Sequence, residues 1–117
     1  MRGIVIDYLY RDAGNNKRHA SKALLNPTHI TVNSISTAFN SAYSRQQLFP
    51  DVLSFDPAAI GWDTLFFDDH AIAGSDISLH EIDCISVSTI PATCTDTVDE
   101  LMQRLAALSA ATQKPLL

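Results

Sequence analysis

The run Ile4 to Tyr10 (IVIDYLY) constrains this chain more than any other stretch. Its even positions, Ile4, Ile6, Tyr8 and Tyr10, are all large, and Val5 and Leu9 make the odd phase apolar as well. Side chains alternate sides along a strand, so a run apolar on both phases predicts a central strand covered at least in part on each face. Ala13-Gly14-Asn15-Asn16 follows and supplies residues that tolerate positive φ, as a hairpin loop demands. Lys17 to Leu25 (KRHASKALL) then returns as the partner strand, and Asn26-Pro27 ends it. Residues 1–27 are therefore expected to form a β-hairpin with a cationic tip.

The period then changes. Thr31 has the character of a helix N-cap, with Ile30 and Ile35 placed as a hydrophobic staple. Val32, Ile35, Phe39, Ala42 and Tyr43 recur at helical spacing, predicting a helix over 31–47 that Pro50 brings to a close. Residues 48–90 read as an irregular arm followed by strands. The arm covers 51–64, a short strand is expected at Leu65-Phe66-Phe67, and a longer one runs from Leu79 to Ile90. In the longer strand the apolar phase switches between Ile82 and Ile85, which predicts a bulge near Cys84 or a strand covered on both faces. Thr97 and Glu100 have capping-box spacing, and Val98, Leu101, Met102, Leu105 and Leu108 mark an amphipathic helix over 96–111, with 112–117 as a frayed tail. The order β-β-α-β-β-α predicts an α+β fold: a mostly antiparallel sheet with the helices packed on one face.

A chain of 117 residues makes one domain, and it can bury a core without disulfide or metal staples. The net charge of −5 argues against duplex nucleic acid as a partner, because phosphate affinity comes from clustered Lys and Arg. The charges are segregated along the chain. Arg2, Arg11, Lys17, Arg18 and Lys22 are five of the eight cations, while Asp51, Asp56, Asp63, Asp68, Asp69, Asp76, Glu81 and Asp83 fill a stretch that has no Lys or Arg. In a compact fold the two sets either meet or form opposed faces. Cys84 and Cys94 lack metal-type spacing, no secretory pattern opens the chain, and no run approaches the ~20 apolar residues of a membrane span. A cytoplasmic location, no membrane association and reduced thiols are the expectation.

The hairpin residues Tyr8, Tyr10, Arg11, Asp12, Asn15 and Lys17 form a Y-x-Y-R-D-x-x-N-x-K pattern. This resembles the opening of a group of small bacterial and phage hypothetical proteins. Asn26-Pro27, Leu48-Phe49, Ile60-Gly61-Trp62, Asp68-Asp69-His70 and His80-Glu81 follow in the same order as in that group, so the likeness covers about residues 4 to 90. The chain departs from it in carrying Leu79 where an aromatic precedes the His-Glu pair, and in the AIAGSDISL segment before that pair. The helix after Ile90 has no counterpart there. The resemblance implies membership of the group and no particular activity.

Two constellations are candidates for chemistry. Tyr8, Tyr10, Arg11, Asp12, Lys17 and Arg18, with His19 beside them, suit an anionic ligand, since guanidinium forks and turn amides both bind phosphate. The alternative is that Arg11 and Asp12 hold the hairpin in place by ion pairs while Lys17 and Arg18 stay solvated. Asp69, His70, His80 and Glu81 carry the residue types that a divalent metal needs. Adjacent strand residues point to opposite faces, however, so only one of each pair can face a shared site. Trp62 is expected to anchor the core. No nucleophile elbow, phosphate loop or dinucleotide fingerprint occurs. Three readings follow: a small non-catalytic binding protein with no cofactor, for an anionic nucleotide-like ligand or a protein partner; a metal-assisted hydrolase; or an accessory protein forming homo-oligomers through its C-terminal helix.

Overall fold

The apolar hairpin strand becomes the centre of the sheet. In the computed structural model, which describes residues 2–11, 14, 16–44, 52–65, 79–91 and 93–113, β1 (Arg2–Arg11) lies between β2 (Lys17–Leu25) and β4 (His80–Thr89). The strand order is β2-β1-β4-β3, with β3 at Leu53–Phe55 and every neighbouring pair antiparallel. The hairpin register matches Ile4 with Leu24 and Arg11 with Lys17.

The bulge expected near Cys84 is present. Asp7 pairs with Cys84 and Tyr8 with Ile82, leaving Asp83 as the extra residue. That insertion lets Ile82 and Ile85 face the same side despite their odd spacing. The third strand differs from the sequence expectation. Leu53–Phe55 pairs with β4 inside the stretch read as an irregular arm, and a 3-10 turn at Pro57–Ile60 follows it. Leu65 belongs to no strand, and Phe66 and Phe67 lie outside the described residues. Three residues are too few to show a period in sequence; Phe55 becomes a strand because it pairs with His80 and fills the core.

α1 (Val32–Ala42) and α2 (Val98–Gln113) pack on the same face of the sheet. The Thr31 hydroxyl accepts the Ser34 N–H at 3.1 Å, and the Thr97 hydroxyl accepts the Glu100 N–H at 3.1 Å, so both predicted caps are made. α1 stops at Ala42, short of residue 47. Tyr43 leaves the helical region at ψ 29°, and its buried ring sends the hydroxyl to the Asp56 carbonyl. Residues 45–51 lie outside the described set. α2 runs to Gln113, two residues beyond its expected end, and residues 114–117 are not among those described.

The core sits between this sheet face and the helices. Ile4, Ile6, Tyr8 and Leu24 meet Ile35, Phe39, Val98, Leu101 and Leu105 there. An aromatic group closes one end, with the Phe55 ring 5.5 Å from Tyr8, 5.5 Å from Phe39 and 5.9 Å from Trp62. Val98, Leu101 and Leu105 are thus buried against their own sheet. None of the described helices is long and apolar enough to cross a membrane.

Candidate functional site

Because β1 is central, its alternation sorts the hairpin cations between two faces. Odd positions point away from the helices, so Arg11, its register partner Lys17, and His19 opposite Leu9 share the face distal to the helices. Arg18, opposite Tyr10, lies on the helix side. Lys17, Arg18 and His19 are all exposed, and Gly14 in the turn is exposed beside them.

Glu81 joins this group from β4. It pairs with Leu9 and is therefore the diagonal neighbour of Arg11 on the same face. The Arg11 Nε donates to Glu81 Oε2 at 2.9 Å, and Nη2 donates to Oε1 at 3.4 Å. This two-point contact holds the Arg11 pKa above its ordinary value, chiefly through the hydrogen bond to Glu81. A second ion pair, Lys22 Nζ to Asp96 Oδ2 at 3.1 Å, ties β2 to the segment before α2. The basic hairpin and the acidic later chain do meet, through Glu81 and Asp96.

The other proposed ligand contacts go elsewhere. Tyr8 and Tyr10 are 3% and 1% exposed, so their rings are core and present no face to a ligand. The even phase that made them prominent in sequence is the helix-covered phase. The Tyr8 hydroxyl donates to the Asp63 carbonyl at 2.9 Å, and burial, with the Asp63 charge second, pushes its pKa up. Asp12 lies outside the described residues.

The metal-type set is not assembled from what is described. Asp69 and His70 lie outside the described residues. His80 is fully buried, and its Nε2 accepts the Leu65 backbone N–H at 2.9 Å. That acceptor role places the ring proton on Nδ1 and occupies the lone pair a metal would take. Tyr10 packs on the imidazole with ring centroids 5.0 Å apart. Glu81, next along β4, faces the opposite side with Arg11, as adjacent strand residues must. Among the described residues, no group of three or more His, Cys, Asp or Glu is placed to hold a metal ion.

Sequence reasoning missed the structural use of His80. Its only signal was an apolar-phase position within a strand, and the Leu65 N–H it satisfies is remote in sequence. Cys84 and Cys94 are free thiols; the Cys94 Sγ donates to the Ala23 carbonyl at 3.2 Å. A groove of about 420 Å³ lies at the opposite end of β1, between Gly3, Ile30, Val32 and Val87, away from the cationic hairpin end. Compared with known proteins, the chain matches no family model, no curated protein and no solved structure.

Proposed function

We propose that this is a small non-catalytic binding protein that recognises an anionic, nucleotide-like ligand with the distal face at the hairpin end. The observation that carries the reading is the placement of Arg11, Lys17 and His19 on one face, at adjacent register positions, with Lys17 and His19 exposed. Glu81 offsets one charge of this group and orients Arg11, leaving Lys17 as the exposed cation beside it. The Arg11 guanidinium adds fixed positive charge to this face, and the exposed Lys17 adds a point charge that an oxyanion can reach. The Gly14 turn brings this group to a sheet end where a phosphate can approach.

A thermal-shift panel of nucleoside mono-, di- and triphosphates tests it. A ligand at 100 times its dissociation constant stabilises by about 2.7 kcal/mol. With roughly 4–8 °C per kcal/mol as an upper guide, the midpoint should rise by up to about 10–20 °C. Lys17→Glu should abolish that rise without changing the unliganded midpoint, since the side chain is solvated. A rise that survives Lys17→Glu, or a panel that leaves the midpoint unmoved, overturns the anionic-ligand reading.

A further inference from the structure

A small polar cavity lies on the helix side of the sheet, where β2, the chain just after the 3-10 turn and the first turns of α2 come together. Its volume is about 130 Å³, which is room for on the order of four waters at ~30 Å³ each. Lys22, Trp62, Asp96, Glu100 and Arg104 are among the residues that line it. Lys22 and Asp96 answer each other at 3.1 Å. Glu100 and Arg104 do not. They stand four residues apart on α2 with the acid first, the spacing and order that favour a helical ion pair. Arg104 instead turns to the 3-10 turn, where its Nη1 donates to the Ile60 carbonyl at 2.7 Å. Gly61 leaves room for that, since a Cβ there would stand 3.2 Å from Nη1. Among the described residues the Glu100 carboxylate therefore pairs with no cation and accepts no hydrogen bond. Trp62 adds a third group. It is 6% exposed, with its ring among Tyr8, Phe39 and Phe55, yet its indole N–H meets no acceptor among the described residues. A buried tryptophan ordinarily finds one. No described side-chain N or O is sealed off without a partner, so this N–H still opens onto accessible space, and the cavity is the space that Trp62 lines.

We infer that this cavity binds a small α-amino acid as its zwitterion. The occupant follows from the charges that the fold leaves unanswered. Arg104 and the Trp62 N–H can only donate, so they take the carboxylate. Glu100 can only accept, so it takes the ammonium. The lining thus presents one positive and one negative group held apart. A lone anion would leave Glu100 unmatched, and a lone cation would leave Arg104 unmatched. Volume sets the size of the molecule: a space of about four waters admits glycine or alanine and excludes a long side chain. Because Arg104 is already held by the Ile60 carbonyl, and Trp62 by the rings around it, both donors are in place before the ligand arrives. This site is separate from the cationic hairpin face, which lies on the other side of the sheet, and it does not depend on the anionic-ligand reading.

Trp62 is the only tryptophan of the chain, so its emission reports on the cavity directly. Titrating the full chain with glycine or alanine should change that emission saturably. Isothermal titration calorimetry alongside registers binding to which the indole is blind. Acetate and methylammonium each carry half of the zwitterion and should bind at least tenfold more weakly than glycine. Leucine should be weaker by a similar factor, for want of room. Glu100→Gln removes the partner of the ammonium at an exposed position. It should weaken glycine binding at least tenfold and leave the circular dichroism spectrum unchanged. Absence of saturable glycine or alanine binding by both methods overturns the inference. So does acetate, methylammonium or leucine binding as tightly as glycine, and so does glycine binding that Glu100→Gln leaves intact.

Discussion

Tyr8 and Tyr43 show how single residues here are committed to structure. Each buries its ring and sends its hydroxyl to a distant backbone carbonyl, that of Asp63 or Asp56. Burial raises both pKa values above the ordinary 10.0, with the Asp63 and Asp56 charges adding to it. A folded-state value above the unfolded one contributes stability that is fully present below about pH 10 and is lost as pH rises through the folded values. The domain should therefore hold its neutral-pH stability up to about pH 10 and lose it above. Tyrosinate absorbance from these two residues should appear only together with loss of the circular dichroism signal. Ionisation of all three tyrosines in a still-folded chain would contradict the burial of Tyr8 and Tyr43. Asn26 is committed in the same manner, its side chain accepting from the Ile30 N–H and donating to the Ile30 carbonyl, both at 2.9 Å. His29 in that turn takes a φ of 56°, which a residue visits readily only in a tight turn.

Among the elements, those with strong local signals were legible in sequence and those without were not. β1 and β2 announced themselves by alternation and a Gly-Asn turn, and both helices by a capping threonine with an apolar stripe behind it. Each cap removes an orphan donor at the first turn. Thr31→Ala should cost about 1 kcal/mol, and Thr97→Ala a similar amount, read as a drop in the urea midpoint without a change in slope. A loss under a few tenths would mean that tertiary packing alone holds the helix start. The bulge at Asp83 was legible as one of two readings of the phase switch, the other being a strand covered on both faces, and the register chose between them. β3 was not. Leu53–Phe55 is a strand only because β4 offers an edge and the core accepts Phe55. The site was half legible. The cations were conspicuous, but Tyr8 and Tyr10 were equally so for a different reason, namely that they belong to the buried phase.

Across the whole molecule, the two helices share one sheet face and close a single core. Leu105, fully buried on α2, meets residues from β1 and α1 in that core. Leu105→Ala should destabilise the domain by about 2–5 kcal/mol. Glu81→Ala, which removes only a partly exposed ion pair, should cost less than about 1 kcal/mol. Chemical denaturation of the two variants side by side checks the contrast, and a larger loss for Glu81→Ala would assign the pair a structural weight its exposure does not support. The same packing decides what α2 is for. Its stripe reads equally well in sequence as an interface or as a lid on its own sheet, and burial of Val98, Leu101 and Leu105 selects the lid. By itself the sequence determined the class of fold, the central strand and the helix caps, because each depends on neighbours within a few positions. Only the tertiary structure decided that Glu81 answers Arg11 and that His80 serves the Leu65 N–H. Those outcomes depend on groups 15 to 70 residues apart being brought together, and no local pattern records where a strand will find its partner.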